Sequence, residues 1–246
     1  MRLILKLKSN KEVSQREFME KYYCSVNGFI YKKLEANPTL INLHDNNSFK
    51  GFCFGNIYPV KNGRFELDKE YNLVVSSINP KIIETLFFAI KEGDVINLGE
   101  GSFTSAGIEV RNFVLRNTDR IETLSIINLT EQVNGKIHAI DYESDKEKYI
   151  VHLKNNLIRK YNKLTGNSII EDFLLFENVE IGKIKVGKYS IRMLFDDNKI
   201  WNAIGYKLYF KFNNITQEQL AIFQVCFDAG FGERNGFGMG MMVTSR

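Results

Sequence analysis

The run Arg2-Leu3-Ile4-Leu5-Lys6-Leu7-Lys8 alternates apolar and polar residues, and from Ser14 the pattern changes so that Phe18, Tyr22, Val26, Phe29, Ile30 and Leu34 recur at helical spacing. Period two marks a half-buried strand and period 3.6 an amphipathic helix, so the chain opens with a strand followed by a long helix. Ser14 with Glu17 three residues on has the pattern of a capping box. Asn37-Pro38 predicts that the helix ends near Ala36, because the residue before a proline is pushed out of the helical region. Working outward, Phe52–Tyr58 and Tyr71–Ser77 read as strands around an Asn62-Gly63 turn. Pro80–Lys91 reads as a second helix with Pro80 in its first turn. Asp94–Leu98 and Ile108–Leu115 read as extended again.

This order, β-α-β-β-α-β, is the ferredoxin-like arrangement. It then repeats. Thr123–Leu129 reads as a strand with a short insertion around Lys136–Asp141, and Lys146–Leu164 as a helix. Glu177–Val186, Ser190–Phe195 and Tyr206–Phe212 read as extended, Thr216–Asp228 as a helix capped by Thr216, and Gly236–Thr244 as the last strand. The halves share an element order and no sequence repeat. The expected fold is α+β, a tandem pair of ferredoxin-like (RRM-like) domains over residues 1–118 and 119–246, parting in the polar stretch Arg116–Ile121.

The 246 residues are 44% hydrophobic and 25% charged, which suffices for a packed core and excludes disordered, collagen-like and coiled-coil classes. Thirty-three Lys and Arg against twenty-nine Asp and Glu give a net charge of +4, compatible with an anionic partner without demanding one. The positive charge gathers in Lys146–Lys163, which holds Lys148, Lys154, Arg159 and Lys160, and in a second run with Lys183, Lys185, Lys188 and Arg192. Cys24, Cys53 and Cys226 have no CxxC spacing and sit among apolar neighbours, as reduced thiols do. The N-terminus lacks the continuous apolar core of a signal peptide. No stretch reaches the ~18 apolar residues of a membrane span. A soluble, cytoplasmic protein is expected.

The most unusual local feature is Gly230-Phe231-Gly232-Glu233-Arg234-Asn235-Gly236-Phe237-Gly238-Met239-Gly240, between a predicted helix and the last strand. A dinucleotide-binding reading fails, because Asn235 falls where the third glycine belongs and the loop follows a helix instead of a strand. A Walker A reading fails for want of Gly-Lys-Ser/Thr. Glycines let a partner approach the main chain closely, and successive inward N–H groups form an anion-binding nest. A phosphodiester backbone would suit Gly230, Gly232, Arg234, Gly236, Gly238 and Gly240.

Gly230-x-Gly232 followed by Gly238-x-Gly240 resembles the glycine-rich signature of the Cas6 family of CRISPR-associated endoribonucleases and its repeat-associated relatives. Gly28-Phe29-Ile30-Tyr31, Leu43-His44-Asp45 and Phe49-Lys50-Gly51-Phe52 extend the resemblance into the first half. It implies tandem ferredoxin-like domains and cleavage of CRISPR precursor RNA within its repeats.

RNA can be cut without a metal, since its 2′-hydroxyl can attack the adjacent phosphorus. The enzyme must move two protons and neutralise charge on the transition state, work suited to histidine, lysine and tyrosine. The products would be a 2′,3′-cyclic phosphate and a 5′-hydroxyl. Of three histidines, His138 and His152 read as structural, whereas His44 lies in a polar loop after a helix, where catalytic groups are often displayed. The resemblance implies that His44 moves a proton, Lys50 stabilises the transition-state charge, and Tyr31 orients the nucleophile or acts as an acid; Lys32 and Lys33 are reserve cations. No metal-ligand spacing occurs, and no metal or cofactor is expected. Lys154, Arg159 and Lys160 are candidates for phosphate contacts. The expected partner is CRISPR repeat RNA, with other effector proteins as further candidates and a monomer or homodimer as the state.

Two other readings compete: a non-cleaving RNA-binding subunit of an effector complex, and an unrelated ferredoxin-like metabolic enzyme. His44, Tyr31 and Lys50 together speak against the first. No ligand motif supports the second.

Overall fold

A computed structural model describes residues 1–43, 49–185, 187–194 and 199–245. The first half comprises strand β1 (Arg2–Ser9), β2 (Val13–Ser14), helix α1 (Gln15–Leu34), β3 (Phe52–Phe54), β4 (Arg64–Phe65), β5 (Glu70–Ser77), α2 (Pro80–Ala89), β6 (Val95–Leu98) and β7 (Gly101–Arg111). The alternation in β1 sends Leu3, Leu5 and Leu7 to the helix-covered face, each at most 1% exposed, while Lys6 and Lys8 face out. β1 is therefore central, flanked by β5 and β7, in the antiparallel order β3-β5-β1-β7-β6.

The second half comprises β8 (Arg120–Thr123), the hairpin β9 (Thr130–Val133) and β10 (Lys136–Ala139), α3 (Lys146–Thr165), β11 (Val179–Lys183), the hairpin β12 (Tyr189–Leu194) and β13 (Ile200–Gly205), β14 (Leu208–Phe212), α4 (Gln217–Ala229) and β15 (Met242–Thr244). Its antiparallel sheet runs β11-β14-β8-β15. In both sheets the first strand of the repeat lies between the third and the fourth, and the second lies outside the third. That is the ferredoxin-like order, twice.

Four strands differ from expectation. The strand expected over Phe52–Tyr58 ends at Phe54. Gly55 crosses so close to Leu124 that a Cβ there would lie 2.6 Å from that side chain, and Pro59 has no N–H to continue a ladder. The Asn62-Gly63 turn forms, with φ of 53° and 66°, but closes only a Lys61↔Arg64 bridge. The strand expected over Thr123–Leu129 is shifted to Arg120–Thr123. The apolar run after it does not alternate because it threads between the halves, leaving Ile126 and Ile127 buried while Leu124 donates its N–H to Met241 O at 2.8 Å. The expected strand Gly236–Thr244 shrinks to Met242–Thr244, the glycines before it being coiled. The strand expected over Ile108–Leu115 instead begins at Gly101, where glycine, serine and threonine hide the pattern, and β13 was not foreseen.

Two cores result. One lies under α1 and α2 and takes in Ile126, Met193, Ala203 and Met239 from later in the chain. The other lies under α3 and α4. Between the sheets, Cys53, Val74 and Met241 form a dry seam with Ile4 and Leu124. There Arg2 lays its guanidinium 3.9 Å over the Phe227 ring and donates to Phe227 O at 3.2 Å.

Candidate active site

α1 starts at Ser14, whose Oγ accepts from Glu17 N at 3.3 Å. The Ser14 hydroxyl also donates to Glu17 Oε2 at 2.7 Å, so only half of the expected capping box forms. The helix buries Phe18, Tyr22, Val26 and Ile30, and on the same side it carries one buried amide, Asn27. Asn27 donates through Nδ2 to Gly236 O at 2.7 Å, a bond spanning 209 residues of sequence. One turn further, the half-buried Tyr31 meets the Phe52 ring edge-on, with centroids 5.8 Å apart. Burial pushes the Tyr31 phenol up to about 12, so it stays protonated at neutral pH and keeps a proton or hydrogen bond to donate.

Lys50 completes this cluster. Its ammonium donates to Leu43 O at 2.7 Å, tying together the two ends of the segment 44–48. A Cβ on Gly236 would lie 3.6 Å from Lys50 Cγ and 3.9 Å from Phe52 Cζ, so the glycine loop forms one wall here. The structure thus gathers Tyr31, Lys50 and Gly236, held by Phe52 and Asn27. His44 directly follows Leu43 in sequence and lies outside the described residues. His138 is exposed on β10 opposite Glu131, and His152 is half-buried on α3. Among the described residues no three His, Cys, Asp or Glu side chains converge as a metal site, and no helix is long and apolar enough to cross a membrane.

The glycine-rich loop is folded inward. Gly230, Gly232, Gly238 and Gly240 are buried, and Gly236 is half-buried. Gly232, at φ 70°, stands where a Cβ would lie 2.7 Å from Asn128 O; Gly238, at φ 78°, where one would lie 2.6 Å from the Phe54 ring. Both positions need glycine for packing, so bulky replacements there would damage the fold before they reported on a ligand. The amides are also engaged. Phe231 N donates to Gly240 O, Glu233 N to Asn128 O and Gly240 N to Ile126 O, at 2.9, 2.9 and 2.7 Å.

The loop's carbonyls do the opposite of an anion nest: they converge on a cation. Lys160, fully buried, donates to Gly230 O, Gly232 O and Asn235 Oδ1 at 2.5, 2.8 and 2.7 Å. Its fourth side faces the Phe49 ring, 5.4 Å away. This corrects the expectation of a surface phosphate contact, since α3 turns Lys160 in. Arg159 is exposed with Nε on Asn155 O at 3.2 Å, and Lys154 is half-buried. Arg234, in a left-handed conformation, places its guanidinium 3.7 Å over the Trp201 ring, so the loop also clasps the β12–β13 hairpin. Asn27, Phe49, Trp201 and Asn235 were not foreseen. Phe49 and Asn235 stood in the motifs read from the sequence without a role, and Asn27 left a trace as an amide inside an apolar stripe.

A sequence profile of the family described as CRISPR associated protein Cas6, C-terminal, matches residues 110–244, more than half of the chain. The chain belongs to the Cas6 family. The CRISPR-associated endoribonuclease Cas6 1 of Methanocaldococcus jannaschii is 24% identical over 227 residues, covering 87% of this chain and 82% of that relative. Among solved structures, an RAMP protein binding different RNA substrates superposes with a TM-score of 0.75 at 22% identity over 100% of both chains. The product of a Cas6-related gene from Pyrococcus furiosus superposes with a TM-score of 0.74 at 21% identity, over 100% of this chain and 98% of that one. At these identities the structural likenesses speak for the fold, which is the tandem ferredoxin-like one of the Cas6 family.

Proposed function

We propose that this Cas6-family chain is an endoribonuclease that cuts CRISPR precursor RNA within its repeats by metal-independent general acid–base catalysis. The observation that carries the reading is the Lys50 ammonium, which lies beside Gly236 and donates to the carbonyl of Leu43, the residue before His44 in the chain. In this mechanism His44 moves the proton between the 2′-hydroxyl and the leaving 5′-oxygen. Lys50 faces the negative charge that builds on the phosphorus oxygens, where a positioned cation counts most. Tyr31, held as a neutral phenol, donates to the substrate. A 2′,3′-cyclic phosphate and a 5′-hydroxyl result. The exposed Arg159 and the half-buried Lys154 add phosphate contacts whose strength falls with salt. The catalytic unit is residues 1–118 and its companion residues 119–246, parting between β7 and β8.

The test is cleavage of a CRISPR-repeat RNA in EDTA, wild type beside His44→Ala. Cutting in EDTA that leaves a cyclic phosphate and slows by roughly 10²- to 10⁴-fold in the variant is expected. Equal cutting by both proteins would remove His44 from the chemistry. Tight binding with no cutting would make the chain a non-cleaving RNA-binding subunit.

A further inference from the structure

Lys160 is a cation with no exposed surface, on a helix of the second half, and its hydrogen bonds run to neutral acceptors of the glycine-rich loop. An ammonium has three N–H groups, and here three acceptors take them, leaving none for a phosphate. A buried charge persists only where such bonds replace its hydration. The three acceptors come from Gly230, Gly232 and Asn235, the stretch leading directly into Gly236. Asn235 is itself fixed at both ends, its Nδ2 donating to Phe231 O at 3.0 Å and Met239 O at 2.9 Å. From there the connection runs to Gly236, whose carbonyl holds Asn27 and where a Cβ would touch Lys50 and Phe52.

We propose that Lys160 is a positioning residue for RNA cleavage, an internal cation that sets the glycine-rich loop so that Gly236 fixes Asn27 and Lys50 in place. The proposal rests on the endoribonuclease reading. It gives the basic helix α3 two separate tasks: Arg159 faces outward towards RNA, and Lys160 faces inward towards the loop. The glycines suit this packing, since a Cβ on Gly230 would lie 2.6 Å from Asn235 Nδ2 and one on Gly232 2.7 Å from Asn128 O.

Lys160→Met keeps an unbranched side chain one atom shorter and removes its donors. In the intact chain, hydrogen exchange of residues 230–240 and single-turnover cleavage of repeat RNA are measured for wild type and variant. Wild-type loop amides should exchange as slowly as those of β1. In the variant they should exchange much faster while β1 stays protected. Cleavage should slow on the order of 10- to 100-fold, the scale of a small misplacement at a catalytic centre. RNA affinity should stay within about twofold, a split that loss of a phosphate contact would not give. A folded variant with wild-type cleavage and loop protection would overturn the proposal. So would equal losses of affinity and rate. If the variant does not fold, wild-type exchange decides alone: rapid exchange of residues 230–240 there would show an unpinned loop. Absence of cleavage by wild type would sink the endoribonuclease reading, while the exchange comparison would still report whether Lys160 holds the loop.

Discussion

Helices α1 and α3 occupy the same place in the two repeats, are both 20 residues long, and begin at the caps Ser14 and Asp145. Counted from those caps, the buried Phe18, Tyr22 and Val26 stand at the same positions as Tyr149, Leu153 and Leu157. Both helices send a buried tyrosine hydroxyl to a main-chain carbonyl, Tyr22 to Gly55 O at 2.6 Å and Tyr149 to Ile127 O at 3.0 Å. They differ in what their far turns do. α1 offers Asn27 and Tyr31 to the candidate site, whereas α3 offers Lys160 to the loop that backs it. The same scaffold thus supplies polar groups of the candidate site from one half and support for the glycine loop from the other. A repeated fold can divide labour through a few polar residues placed on otherwise equivalent apolar faces.

The comparison breaks first at the loop. Gly238→Leu forces a side chain into the Phe54 ring at a positive φ, and a loss of about 3 kcal/mol or more is expected in denaturant unfolding. A variant as stable as wild type would mean that the loop is not packed between the halves. The tyrosine pair sharpens the comparison. Tyr22→Phe and Tyr149→Phe each remove a buried hydrogen bond, Ile127 O keeping the Tyr206 N–H at 3.2 Å, and should each cost about 1–2 kcal/mol. Clearly unequal losses would show that the two helices are equivalent in outline only.

The smallest effect concerns the second half alone. Asp141 is held down at about 2, chiefly by the hydrogen bond from the Tyr206 hydroxyl and also by the Glu143 N–H. A carboxylate depressed in the folded state stabilises the fold above its unfolded pKa and loses that contribution as pH falls through the folded value. Stability owed to Asp141 should therefore fade from about pH 4 to about pH 2. Tyr206→Phe should raise the carboxylate's midpoint in an NMR titration; an unchanged midpoint would assign the depression to other groups.

The doubled element order was legible in the sequence because β1, α1, α3 and α4 carry strong periodicity and clear caps. Thr216 caps α4 as expected, and Gln219 completes a capping box with it that the sequence reading did not name. The segments that cross between halves were not legible. Residues 125–129 are all buried, so they show no period, and the hairpin β12–β13 is completed by contacts with α1 that lie far off in sequence. At the candidate site, Tyr31 and Lys50 were readable through family motifs, and the structure brings both to the glycine loop. The inward turn of Lys160 was hidden, since a lysine among lysines looks like surface. Its burial and its three acceptors on Gly230, Gly232 and Asn235 distinguish it from Arg159.

The hairpin that lays Met193 and Ala203 into the first core has a bearing on how the chain is made. A polypeptide leaves the ribosome from its N-terminus, so β1 through β7 emerge long before the residues that seal them. Until residues 189–205 and the glycine loop arrive, one flank of α1 stays uncovered and Asn27 lacks its acceptor. Contacts this distant in sequence form slowly, because a long loop must close first. The nascent first half is therefore an incomplete domain, finished by residues of the second half.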